Sequence, residues 1–117
     1  QNKGMVLNLA LNYSGHQEIL EATKKIAIDF KKGKIQEKDL NEELFSQYLF
    51  TRGLPDPDLL IRTSGEMRLS NFLLWQLAYA EFWITPVLWP DFSRKEFYQA
   101  IVSYQTRQRR FGRVIEE

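Results

Sequence analysis

Cysteine is absent from the 117 residues, so no disulfide and no thiolate chemistry can operate here. That absence fits a cytoplasmic protein, which is the expected location. Charge of one sign is also missing. The 16 basic residues face 15 acidic ones, for a net charge of +1, so no bulk attraction to nucleic acid or to a membrane surface follows. No apolar run approaches the roughly 20 residues that span a bilayer, and no signal-peptide pattern opens the chain. Histidine occurs once, at His16. A lone histidine beside a turn reads as a helix-start or interface residue before it reads as an acid–base catalyst. Repeats and low-complexity segments are lacking too.

What is present is a hydrophobic content of 44%, with 14% aromatic residues. That supports one modest core in a single folded, soluble unit. Met5 to Leu11 alternates and reads as a strand, with Met5, Leu7, Leu9 and Leu11 on one face. Asn12-Tyr13-Ser14-Gly15 turns the chain. A helix is expected from about His16 to Lys32, with an inward stripe of Ile19, Ala22, Ile26, Ala27 and Phe30, and Gly33 stops it. Asp39 to Phe50 reads as a second helix with Leu40, Leu44, Phe45 and Leu49 inward. Pro55 and Pro57 forbid a helix in the connector that follows. Asp58 to Arg62 is a strand, Phe72 to Ala80 a short helix, and Phe82 to Thr85 a second strand. Ser93 should cap a final helix to about Arg110, with Glu96 completing a capping box and Phe97, Ile101 and Tyr104 on one side. Strands alternating with helices predict an α/β fold with a mostly parallel central sheet flanked by helices.

The most informative stretch is DLLIRTSGEMRLSNFLLWQLAYAE, from Asp58 to Glu81. A continuous apolar run ends at Arg62, Ser64-Gly65 turns the chain, and Arg68 and Ser70 follow. Two guanidinium forks and a hydroxyl at the carboxyl end of a buried strand suit a phosphate or diphosphate. On spacing alone, a pair of surface ion-pair arginines is an equal reading.

The motif IRTSGEMRLSNFLLWQLAYAEF followed by VLWPDF resembles the C-terminal signature of the cis-prenyltransferases, notably the bacterial undecaprenyl diphosphate synthases. LNLALNYSGHQEI upstream and RQRRFG at the end are similar to two further family motifs, in the right order. The resemblance implies that residues 1–117 are the C-terminal portion of a single cis-prenyltransferase domain. The N-terminal half, which in the family holds the essential aspartate, is absent. The resemblance therefore implies no catalytic residue in this chain, and inactivity of the chain alone.

It also implies roles residue by residue. Arg62, Arg68, Leu69 and Ser70 would bind isopentenyl diphosphate. Glu81 would help hold Mg²⁺, a cation content with one or two carboxylates plus substrate oxygens; its other reading is a carboxylate paired with a nearby arginine. Arg110 and Gly112 would reach the partner subunit's active site across a homodimer. Met5, Leu7 and Leu9 would line the tunnel that receives the growing chain, or are simply core. Trp75, Tyr79, Phe82, Trp83 and Trp89 would supply apolar area for core and interface. Arg107, Arg109, Arg110 and Arg113 also suit a helix C-terminus without any ligand. Met67 stands where many relatives carry histidine, and methionine neither moves protons nor binds magnesium. Glu66 could order the loop by pairing with an arginine.

The function so implied is condensation of isopentenyl diphosphate onto an allylic diphosphate such as farnesyl diphosphate, with cis stereochemistry. The product would be undecaprenyl diphosphate, a carrier for cell-wall polymers, released with peripheral membrane contact; nucleic acid is no partner. Two other readings stay open: a non-catalytic subunit of a two-component cis-prenyltransferase, and a binding module for a phosphorylated ligand.

Overall fold

The first helix, α1 (Gly15–Lys31), begins where Ser14 turns extended and its Oγ accepts the Gln17 N–H. It ends in a Schellman turn. Gly33 takes φ +73, Lys34 N–H donates to Asp29 and Gly33 N–H to Phe30. The structure, a computed structural model, describes residues 3–107. The expected inward stripe is rotated. The buried positions are Gly15, Glu18 and Ala22, while Ala27 and Phe30 are exposed. A carboxylate thus occupies the centre of the buried face, because donors from three other segments meet it there.

The expected second helix is broken in two. A single 3-10 turn covers Glu37–Asp39, Leu40 is extended, and α2 occupies only Glu42–Gln47. Asn41 causes the break. Its backbone is extended and its Oδ1 accepts the Leu44 N–H, the capping geometry that asparagine prefers to a helix interior.

Two strands, β1 (Leu59–Arg62) and β2 (Glu81–Ile84), pair in parallel with Leu59 opposite Glu81 and Arg62 opposite Ile84. Parallel neighbours need a long crossover, and residues 63–80 provide it. The helix expected over Phe72–Ala80 does not form. Ser70, Asn71 and Leu73 adopt positive φ, which a right-handed helix cannot include. One α-type bond, Leu77 N–H to Leu73, and one 3-10 bond, Ala80 N–H to Leu77, are what remains of it. These irregular turns still bury Gln76 and Leu77.

The last helix, α3 (Arg94–Thr106), packs on β2 and starts where Ser93 Oγ accepts the Glu96 N–H. It stops short of Arg110, because Arg107 turns extended and sends its guanidinium back to Glu81 Oε2 (3.1 Å) and the Phe82 carbonyl (2.6 Å). Ala22, Leu49, Leu77 and Ala100 are the fully buried apolar residues.

Met5–Leu11 is a correction to the sequence reading. It forms no strand, and both alternating sets are open to solvent: Met5 91%, Leu7 76% and Leu9 71% against Val6 71%. A strand needs a partner for its backbone donors and acceptors, and no described segment pairs with this one. No helix among the described residues is long and apolar enough to cross a membrane.

Candidate functional site

Arg62 is the last residue of β1, so the loop carrying the other candidates leaves from the carboxyl ends of both strands. The loop is held there by its backbone. Thr85 N–H donates to the Arg62 carbonyl (3.0 Å), Gly65 N–H to Thr85 (2.8 Å) and Ser64 N–H to Val87 (2.9 Å). Ser64 and Gly65 both take positive φ (63 and 64), so the chain reverses tightly above the sheet. Counting Ser70, Asn71 and Leu73, one short segment holds five such residues. Non-glycine residues in this region are costly and gather at binding sites when their surroundings over-determine them.

Three side chains offer donors. Arg62 is half-buried as a residue, and its guanidinium engages no hydrogen bond or ion pair among the described residues. Arg68 pairs with Glu66 at 2.6 Å, which meets the expectation that Glu66 orders the loop. The Arg68 side chain is 68% exposed, so the pair is weak and a more highly charged anion can displace Glu66. Ser70 presents an exposed hydroxyl, and Leu69 between them is half-buried. Met67 is exposed at the tip. Two guanidinium groups and a hydroxyl within nine residues of one strand end are donor types that suit a diphosphate.

Glu81 lies elsewhere. It opens β2 opposite Leu59, three register positions before Arg62, which is about 10 Å along a strand. Its carboxylate is bound to Arg107, the pairing that the plainer sequence reading named. Among the described residues no group of three or more histidines, cysteines or acids could hold a metal. A magnesium ion needs only one or two carboxylates beside substrate oxygens, and Glu81 could supply one of them by exchanging Arg107 for the ion. Arg110 and Gly112 lie outside the described residues.

The LNYSG turn sits against this loop. Asn71 accepts the Gly15 N–H on its carbonyl (2.8 Å) and the His16 N–H on Oδ1 (2.9 Å), and donates from Nδ2 to Ser14 Oγ (2.8 Å). His16 is therefore an exposed helix-start residue. Beneath the turn, the buried Glu18 carboxylate accepts from the Tyr13 hydroxyl, the Phe50 N–H (2.7 Å) and Gln76 Nε2 (2.9 Å). Burial first, and then the Glu18 carboxylate, push the Tyr13 hydroxyl pKa far up and keep it protonated. A cavity of about 360 Å³ opens beside it, lined by Leu9, Leu11, Tyr13, Gln17 and Phe50. Of the expected tunnel residues, Leu9 lines it. Asn71 and Glu18 were missed by sequence reasoning. The one available signal was an acid four residues after a cap and on the same helical face as Ala22.

Known proteins resemble the chain throughout. The prenyltransferase family model described as undecaprenyl diphosphate synthase matches residues 1–112. An isoprenyl transferase of Heliobacterium mobile is 62% identical over 113 residues, 97% of this chain and 44% of that protein. An isoprenyl transferase of Bacillus subtilis is 58% identical over 112 residues, 96% of this chain and 43% of that protein. The chain thus spans under half the length of the curated relatives it matches. Lavandulyl diphosphate synthase from Lavandula x intermedia, solved with dimethylallyl diphosphate, superposes with a TM-score of 0.81 at 46% identity, covering 86% of this chain and 43% of that one. A probable undecaprenyl diphosphate synthase from Campylobacter jejuni superposes at 0.73 and 38% identity, covering 91% of this chain and 47% of that one. The helices and the parallel pair are therefore part of that α/β fold.

Proposed function

Because the chain belongs to the undecaprenyl diphosphate synthase family of cis-prenyltransferases, we propose that it is the C-terminal portion of an enzyme that condenses isopentenyl diphosphate onto an allylic diphosphate with cis stereochemistry. This chain supplies the isopentenyl diphosphate site. The observation that carries the reading is Arg62, half-buried and without an ion-pair partner among the described residues, at the carboxyl end of β1, with Arg68 and Ser70 on the loop that follows. A guanidinium with no counter-ion among the described residues is available to a diphosphate, which supplies the opposite charge. Arg68 exchanges Glu66 for a second phosphate oxygen, and Ser70 adds a neutral donor.

Catalysis by this half is positioning. The diphosphate is clamped so that the alkene of its isopentenyl tail faces the allylic carbon. The general base and the allylic site belong to the rest of the enzyme. Magnesium is part of the proposed reaction as a property of the whole protein, because diphosphate charge calls for a dication with oxygen ligands. Homodimer formation, with Arg110 and Gly112 reaching the partner subunit, and a cytoplasmic enzyme that meets the membrane on product release are parts of the same proposal.

The test is condensation of isopentenyl diphosphate with farnesyl diphosphate and Mg²⁺ by the full-length protein and its Arg62→Ala variant. A polyprenyl product from the wild type, with KM for isopentenyl diphosphate raised about a hundredfold by losing a charged contact, is the expected result. Binding of diphosphate without condensation by folded full-length protein would instead favour a module for phosphorylated ligands.

A further inference from the structure

Asn71 follows Ser70 directly, and nothing in the chemistry of diphosphate binding calls for it. Yet it is the most heavily engaged polar residue of the loop. The first turn of any α-helix has backbone N–H groups without intrahelical partners. In α1 the Gln17 N–H is met by Ser14, the cap adjacent in sequence. The Gly15 and His16 N–H groups are met by the carbonyl and the Oδ1 of Asn71, a residue of the β1–β2 crossover. Asn71 Nδ2 then closes the ring by donating to the capping Ser14 Oγ. All three polar groups that Asn71 directs at the turn are used, and they reach three consecutive residues.

The approach is close enough to dictate sequence. A Cβ on Gly15 would stand 2.9 Å from the Asn71 carbonyl oxygen and 2.9 Å from Leu74 Cγ. The glycine of the turn is there to admit the loop, not for its own conformation, which is helical. On the loop side, Asn71 takes φ 65, between Ser70 at 49 and Leu73 at 42. Asparagine tolerates that region better than other non-glycine residues, so it can hold two reluctant neighbours there.

We infer that Asn71 is a positioning residue for the diphosphate site: docked on the N-terminus of α1, it fixes the backbone that presents Arg68 and Ser70. The inference rests on the function proposed above. It treats the long helix as the rigid reference for a loop that has little regular structure of its own. Loss of the amide frees residues 68–71 and loosens isopentenyl diphosphate, while the allylic substrate, bound by other residues, is unaffected.

The experiment compares full-length wild type with Asn71→Ala, Asn71→Asp and Asn41→Ala. Asn41 caps α2 through the Leu44 N–H and serves as a control for mere loss of a helix cap. Isopentenyl diphosphate binding is measured by calorimetry, and KM for both substrates and melting temperature alongside. Asn71→Ala is expected to raise Kd and KM for isopentenyl diphosphate about tenfold or more, with KM for farnesyl diphosphate changed less than about twofold. Asn71→Asp keeps the acceptor for His16, and Ser14 can donate in return, so it should recover most of the affinity. Asn41→Ala should lower the melting temperature without moving either KM. A folded Asn71→Ala with unchanged isopentenyl diphosphate affinity overturns the inference, as does an equal rise in KM from Asn41→Ala. If Asn71→Ala does not fold, an Asn71→Asp protein as weak in binding as Arg62→Ala also overturns it. Wild-type protein that neither binds isopentenyl diphosphate nor condenses it would overturn the proposed function itself, and the role of Asn71 with it.

Discussion

Replacing Glu18 by alanine tests the reasoning about the core most severely. The carboxylate is 1% exposed and accepts hydrogen bonds from Tyr13, Phe50 and Gln76, which belong to three different segments. Alanine leaves the Phe50 N–H and the Tyr13 hydroxyl without this acceptor, at about 1–3 kcal/mol each. Gln76 Nε2 keeps Thr51 Oγ1 at 3.1 Å, so its loss is partial. Two effects oppose these costs: a buried charge no longer has to be desolvated, and alanine is the better helix former by several tenths of a kcal/mol. The balance is about 3 kcal/mol of destabilisation, or roughly a 12 °C fall in melting temperature for a domain of this size. Glu18→Gln retains one acceptor oxygen and should cost about half as much. Urea titration followed by tryptophan fluorescence and far-ultraviolet circular dichroism gives both values. A loss below about 1 kcal/mol for the alanine variant would refute the view that Glu18 ties these segments together.

Gly15→Ala should destabilise by about 1–3 kcal/mol in the same titration, although alanine in a helix ordinarily gains about 1 kcal/mol over glycine; a stabilised variant would show that Asn71 can retreat. Stability should be insensitive to the Tyr13 hydroxyl below its ordinary pKa of 10.0 and fall as pH rises above it, because the unfolded chain then loses a proton that the folded chain retains. The Asp29 carboxylate, as hydrogen-bond acceptor, raises Tyr48 in the same direction. Alkaline unfolding of Tyr13→Phe should accordingly begin at higher pH than wild type, and identical profiles would contradict the assignment. Assayed alone, the 117-residue chain should form no polyprenyl product from isopentenyl and farnesyl diphosphates, and detectable product by radiolabelled extraction would overturn the division of labour proposed here.

The backbone frame of the candidate site was legible because its signals are local. The apolar run ending at Arg62 reads as a strand and Ser64-Gly65 as a turn, and both form where a dozen consecutive residues place them. What failed depended on distant partners. Phe72–Ala80 has helical composition, yet Asn71 is drawn to α1 and holds its neighbours in a conformation that no helix accommodates. Glu18 reads as a surface acid until Phe50 and Gln76 arrive to bury it. Met5–Leu11 alternates as a strand should, but alternation specifies two faces and not a partner edge. Glu81 was named a metal ligand through the family resemblance alone, and its pairing with Arg107 agrees with the plainer reading offered beside it.

The crossover from β1 to β2 has a consequence for how this protein can be altered. In many α/β proteins the segment joining parallel strands is a helix that merely spans the distance, and the binding loop is a separate insertion. Here the same residues, 63–80, span the distance and carry Arg68 and Ser70. Trimming that segment below the dozen or so residues a parallel crossover needs would unpair the sheet and remove loop donors together. The connector from Arg52 to Pro57 is largely exposed and carries no candidate site residue, so it is the place where added length should be borne.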